Sequence, residues 1–195
     1  MEKKLKIQMN GRSDEFGTPK IAWDILKPFI NEEWTIWESA WGKGELGEHM
    51  IKDGFEVVGT PLSIKATKNC GDWDFFKDKP IQWDCIITNP PYSLKYEFLK
   101  RCFELETPFA LLMPLTALEG KRRGELFRKY GIQLIIPNKR INFRTPSGKG
   151  SGAWFQVAWF CWKLNLPNQL NFIELKSKEV KQEAMQSEAR HSSQA

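Results

Sequence analysis

The chain lacks what several broad classes of protein require. Nowhere in its 195 residues does an apolar run approach the ~18 needed to span a bilayer. Its opening stretch, MEKKLKIQMNGR, is charged and has no apolar core, so it does not read as a secretory signal. Only four cysteines occur, Cys70, Cys85, Cys102 and Cys161, and none has CxxC spacing. That scatter excludes an ordinary zinc knuckle and argues against a disulfide framework. The expectation is a chain without metal or membrane partner, in a reducing, cytoplasmic setting.

Net positive charge is confined to one segment. Residues 119–150 hold nine Lys or Arg against two Glu, a local charge of +7. The whole chain has a formal net charge of +5, so the remainder is about −2. Such a segment is either a solvated helix and loop or a phosphate-contacting face. The charge by itself does not choose between them.

What is present is 41% hydrophobic and 27% charged, the balance of a globular chain able to bury a core. No internal repeat is visible. Residues 1–17 read as a loose N-terminal segment, 18–175 as one domain and 176–195 as a polar tail. Helices are expected over 21–30, 45–52, 94–105 and 119–130. The first would be opened by a Thr18 cap with Pro19 at its first position. Strands are expected over 35–38, 55–59, 84–88, 109–115, 132–136 and 154–162. DCIIT, ending at Thr88, is almost wholly apolar, as in a parallel sheet covered on both faces. The alternation argues for an α/β domain with a mainly parallel central sheet flanked by helices. Ligands in such sheets bind beyond the carboxyl ends of the strands.

Two motifs sit at those ends. The first is Glu38-Ser-Ala-Trp41-Gly42-Lys43-Gly44. Its glycines allow a sharp turn and close approach of a ligand, and Glu38 can bind an amino or hydroxyl group. A GxG also serves ordinary strand-to-helix turns. The second is Asn89-Pro90-Pro91-Tyr92. Proline cannot donate to a ladder, so the pair ends the strand and holds Asn89 extended. The Asn89 side-chain oxygen and the Pro90 carbonyl can both accept hydrogen bonds from a planar NH2 group. Tyr92 can stack on the attached ring.

These residues resemble the class I S-adenosylmethionine-dependent amino-methyltransferases, over roughly residues 13–163. Within that group the chain is most similar to small phage- or plasmid-type DNA adenine-N6 methyltransferases. Asn89, Pro90, Pro91 and Tyr92 match the (D/N/S)PP(Y/F/W) catalytic motif. Glu38, Gly42 and Gly44 resemble the cofactor turn. Phe16-Gly-Thr18-Pro19 resembles the FxTP element that lines the methionine end of the cofactor. Asp74-Phe75 resembles the DF pair whose acid contacts the cofactor adenine, with Asp72 the other possible contact. Arg140-Ile-Asn-Phe143 resembles the RxxF segment before the last hairpin. The chain departs from the group where Gly59-Thr60-Pro61 stands in place of a ribose-binding acid, and at Trp41 and Lys43.

The resemblance implies a Rossmann-like class I methyltransferase fold whose last strand is antiparallel. It implies S-adenosyl-L-methionine as cofactor and transfer of its methyl group to N6 of adenine in DNA, as in restriction-modification systems. Lys121, Arg122, Arg123, Arg140 and Arg144 would hold phosphates while the base is flipped out. An RNA or protein amide methyltransferase with the same NPPY site is the nearest alternative. Cytosine N4 is disfavoured, since Ser or Asp is commoner than Asn at that motif position. A catalytically degenerate member that only binds nucleic acid is the alternative from another class, motivated by the absent ribose acid.

Overall fold

Apolar runs of four to six residues, bounded by Gly, Pro or Asp, favour strands over helices. The computed structural model describes residues 17–60, 74–143 and 155–175, and there these runs build one seven-stranded sheet. The strands are β1 (Thr35–Glu38), β2 (Glu56–Gly59), β3 (Cys85–Thr88), β4 (Phe109–Pro114), β5 (Gln133–Pro137), β6 (Val157–Trp162) and β7 (Leu170–Ile173). Their order across the sheet is β2-β1-β3-β4-β6-β5-β7. Strand β6 is antiparallel to both β4 and β5, and all other pairings are parallel. Four helices accompany it: α1 (Lys20–Leu26), α2 (Glu45–Lys52), α3 (Lys95–Glu104) and α4 (Lys121–Tyr130).

Side chains alternate between the two faces of a strand, and that alternation divides the core. Cys85, Ile87, Ala110, Leu112, Val157, Trp159 and Cys161 face α1 and α2, meeting Trp23, Leu26, Leu46 and Met50. Ile86, Phe109, Leu111, Met113, Ala158 and Phe160 face α3, meeting Phe98, Leu99, Cys102 and Phe103. Leu126, Phe127 and Tyr130 of α4 cover the same face. Strands β3 and β4 are buried along their whole length, which accounts for their unbroken apolar sequence. Cys85, Cys102 and Cys161 are free and buried, and burial pushes all three thiols far up, away from the reactive thiolate. Cys70 lies outside the described residues.

Two local features differ from expectation. Thr18 does not cap α1: Pro19 stands at the N-cap position, and no side chain bonds the helix end. A further strand, β7, follows the expected antiparallel one and pairs parallel to β5. Its pattern was unreadable because it is an edge strand with Leu170 and Phe172 exposed. Its buried residue is Asn171, whose amide donates to the Leu134 and Asn168 carbonyls at 3.0 and 2.8 Å.

All six parallel strands end on one edge of the sheet. β6 starts on that edge, with Val157 opposite Pro114. The loops after β1 and β3, which neighbour each other in the sheet, are thereby brought side by side.

Candidate active site

The turn after β1 is built on two glycines. Gly42 has φ +53° and Gly44 φ +86°, left-handed values that a Cβ disfavours. The Gly44 N–H donates to the Trp41 carbonyl at 2.7 Å, and α2 starts at the next residue. The Trp41 indole lies across the first turn of α2. A Cβ on Gly44 would fall 2.7 Å from Trp41 Nε1, and one on Gly47 would fall 2.4 Å from the ring. The space beside Gly44 was expected to admit a cofactor, but the chain's own indole fills it. Gly42 remains open, since a Cβ there would meet only the Ala40 carbonyl oxygen at 3.7 Å. Trp41 Nε1 and the neighbouring Ser39 Oγ are buried and have no hydrogen-bond partner.

Glu38, the last residue of β1, is 1% exposed. Its Oε1 accepts a hydrogen bond from the Ala40 N–H at 3.0 Å and a short one from the Thr88 hydroxyl. Burial with no adjacent cation pushes its carboxyl up to about 8, and these two hydrogen bonds only partly oppose the shift. Thr88 ends β3, so one contact joins the two loops. A hydroxyl closing an otherwise apolar strand was the sequence signal for this residue, which motif reading missed.

Asn89 follows. Its Nδ2 donates to Thr18 Oγ1 at 3.0 Å, while its Oδ1 is buried without a partner. Pro90 and Pro91 are buried, and Tyr92 is half-buried. The Tyr92 ring meets Phe155, just ahead of β6, edge to face with centroids 5.6 Å apart. Lys95 Nζ donates to the Tyr92 carbonyl at 2.9 Å and braces the loop. Glu38, Thr18 and the Asn89 loop are thus gathered at one place on the carboxyl edge. Thr60 joins them from β2, its backbone bonded to Glu38 and Trp41 and its hydroxyl accepting from Trp37 Nε1 at 2.7 Å. That hydroxyl occupies the neighbourhood where a ribose acid was sought. Pro61 lies outside the described residues.

Asp74 and Phe75 are placed differently. Asp74 is exposed, takes the Phe76 N–H at 3.0 Å and pairs with Lys77 at 3.2 Å. Phe75 is 4% exposed, stacked on Phe98 and edge-on to Trp37, so its ring anchors the segment in the core. Asp72, Phe16, Trp73 and Arg144 lie outside the described residues.

The basic residues stand at the start of α4, which leaves the same edge as the Asn89 loop. Lys121 and Arg122 are exposed. The Arg122 guanidinium lies over the Tyr96 ring of α3, 3.6 Å from its centroid. Arg123 folds back onto the Ala117 carbonyl at 2.7 Å and onto the Glu119 carbonyl. Arg140, after β5, is exposed. Among the described residues no group of three or more His, Cys, Asp or Glu is placed to hold a metal, and no helix is long and apolar enough to cross a membrane.

No protein-family model and no curated protein matches the chain. Solved structures do. A chain from a structure of the type I R-M system superposes with a TM-score of 0.57 at 12% identity, over 84% of this chain and 45% of that one. A Listeria monocytogenes protein assigned as a class I S-adenosylmethionine-dependent methyltransferase gives 0.53 at 13% identity, over 85% and 68%. A Pyrococcus horikoshii protein assigned as an RNA methyltransferase gives 0.50 at 14% identity, over 73% and 78%. The chain has the class I, Rossmann-like methyltransferase fold.

Two expectations follow from this geometry. The first concerns Glu38. The unfolded chain releases this proton near the ordinary value of 4.5, whereas the folded chain keeps it until about 8. Its contribution to stability is therefore complete below 4.5 and is lost as pH rises through about 8, by an amount on the order of a few kcal/mol. Glu38→Gln keeps an acceptor for Thr88 and Ala40 but does not titrate. Thermal melts between about pH 5 and pH 8.5 should show the parent losing stability relative to Glu38→Gln, and parallel curves would contradict the assignment. The second concerns Trp41. Gly44→Ala should cost about 1–3 kcal/mol, from the positive φ and the indole contact. The cost should shrink in a Trp41→Ala background, as measured by urea unfolding of all four proteins.

Proposed function

We propose that this chain transfers a methyl group from S-adenosylmethionine to the exocyclic N6 of adenine in DNA. The observation that carries the reading is the buried, unpartnered Asn89 Oδ1, on a rigid Pro-Pro loop beside an aromatic pair. Asn89 Oδ1 and the Pro90 carbonyl accept the two amino hydrogens of the substrate. This draws the nitrogen toward sp3 geometry and frees its lone pair from the ring. The help is orientation and electrostatic stabilisation, with no covalent intermediate. Tyr92, steadied by Phe155, stacks on the flipped base.

The cofactor side rests on the left-handed turn at Gly42 and Gly44, with Glu38 beneath it. Two orphaned buried polar atoms, Ser39 Oγ and Trp41 Nε1, fit a polar ligand at this turn. Bound there, S-adenosylmethionine would supply a methyl group activated by its sulfonium. Thr18 and Pro19 would border its methionine end, and Glu38 would receive its ammonium group. Asp74, held by the buried Phe75, would offer the acceptor for its adenine.

DNA is favoured by the basic face. Lys121, Arg122 and Arg123 occupy the first turn of α4, which has no acidic residue. Cations there oppose the helix dipole, and a phosphate partner reverses that penalty. Arg140, exposed after β5, offers a further cation, and Arg144 follows it in the sequence. The likeness in fold to a chain of a type I R-M system supports this substrate class.

Asn89→Ala should fold and bind cofactor yet lose transfer by a factor of hundreds, about 3–4 kcal/mol in the barrier. Full activity in that variant would remove the basis of the reading. DNA incubated with enzyme and cofactor, digested to nucleosides and examined by mass spectrometry should contain N6-methyladenine. Methylcytosine, methylated RNA or methylated glutamine as sole product would reassign the substrate. If Arg122, Arg123, Arg140 and Arg144 all touch phosphates, the log–log salt slope of DNA binding should be about −3 to −4. Replacing Arg122 and Arg123 by Ala should flatten it by up to ~2 and leave cofactor binding unchanged.

A further inference from the structure

We propose that Thr18 is a positioning residue that clamps the Asn89 amide so that its oxygen, and not its nitrogen, faces the substrate. The inference rests on the amino-methyltransferase reading and adds to it what makes Asn89 selective. A primary amide has two chemically opposite ends, and rotation about its last side-chain bond exchanges them. Only the orientation with Oδ1 toward the pocket accepts hydrogen bonds from an NH2 group. The opposite orientation presents two donors and repels it.

Thr18 comes from a segment 71 residues away and is 4% exposed. Its hydroxyl takes no part in capping α1. It meets Asn89 Nδ2 at 3.0 Å, and Asn89 Oδ1 is left buried and unpartnered. A hydroxyl could also donate to a rotated amide. That state would bury both Nδ2 hydrogens where Oδ1 now lies, and orphaned N–H groups are rarer than under-satisfied carbonyl oxygens. The observed orientation therefore holds Oδ1 in readiness. The clamp is rigid at its other end. Pro19 fixes the chain behind Thr18, and α1 is tied to the sheet by Trp159 Nε1 donating to the Ala22 carbonyl at 2.7 Å. Thr88, one residue before Asn89, is held to Glu38 in the same way. The catalytic loop is thus pinned from both sides by side-chain hydrogen bonds.

The test compares Thr18→Val, which keeps the β-branched shape and removes the hydroxyl, with Thr18→Ser, which keeps the hydroxyl. Thr18→Ala serves if the Val variant does not fold. The first readout needs no ligand. The Asn89 side-chain amide is identified in a nitrogen-15 NMR spectrum by its absence in Asn89→Ala, and its hydrogen exchange is measured. Exchange should accelerate at least about tenfold in Thr18→Val, since the bond that protects it is gone, and stay near the parent rate in Thr18→Ser. The second readout is turnover. Thr18→Val should lower kcat, measured at saturating cofactor, by about 10- to 100-fold, with DNA KM within about threefold of the parent. Thr18→Ser should restore kcat to within about threefold. Three results would each overturn the proposal: unchanged amide exchange in Thr18→Val, a Ser variant as slow as the Val variant, or a Val variant whose rate is restored by saturating cofactor. A parent that methylates no acceptor would remove the proposed function, and the exchange experiment would still decide whether Thr18 holds the amide.

Discussion

The site is organised around a carboxyl group removed from water at the point where two parallel strands end side by side. Glu38 closes β1, Thr88 closes β3, and the hydroxyl of one bonds the carboxyl of the other. Among the described residues no cation offsets the burial, and the carboxyl holds its proton up to about 8. A buried acid of this kind can relax in two ways. It stays protonated, or it gains a positively charged partner. That choice links the folding of the domain to the charge of whatever binds above the sheet. The same hydrogen bond fixes the start of the Asn89 loop, because Asn89 directly follows Thr88. Burial, protonation and loop position are therefore consequences of one pairing, that of β1 with β3.

The tryptophans show how the surrounding scaffold was made stiff. Trp23 donates to Asp53 at 2.9 Å, Trp37 to Thr60 at 2.7 Å and Trp159 to Ala22 at 2.7 Å, and all three are fully buried. Each combines a large apolar body with one satisfied polar atom, the condition under which a buried indole stabilises its surroundings. The Asp53 carboxyl is held down to about 2, chiefly by the Trp23 hydrogen bond and also by Lys20 and Lys27. Trp41 differs. It is buried against Gly44 and Gly47, yet its nitrogen has no partner. Trp83 Nε1, just ahead of β3, is likewise buried without a partner, but of these two only Trp41 lies beside the glycine turn.

The basic helix carries a related tension. Three cations in its first turn oppose the helix dipole, and two of them are restrained by the protein itself. Arg122 is laid on Tyr96, and Arg123 is bonded to the carbonyls that precede the helix. Their side chains give up little further freedom when an anion arrives, and electrostatic attraction then serves orientation as well as affinity. α3 and α4 both start on the edge that carries Asn89, so the restrained cations stand on that edge as well.

Much of this was legible in the sequence. Short apolar runs and the turn residues around them determined six of the seven strands, most plainly β3 and β4, which are covered on both faces and need apolar side chains in nearly every position. The glycine turn after Glu38 and the strand-ending Asn89-Pro90-Pro91-Tyr92 were legible for the same local reason: backbone conformation at glycine and proline depends on the residue itself. β7 was not legible, since an edge strand with one buried asparagine has no apolar pattern. Nor could local reasoning foresee that Thr18 bonds Asn89 across 71 residues, that Thr88 bonds Glu38, or that Trp41 fills the space beside Gly44. A hydroxyl, an amide and an indole each have several possible partners, and spacing along the chain does not choose among them. The sequence by itself determined the elements and the chemical groups available at their ends. Only the tertiary structure decided which of those groups are spent on each other and which are left open, because hydrogen-bond partnership between distant residues depends on where the sheet brings them.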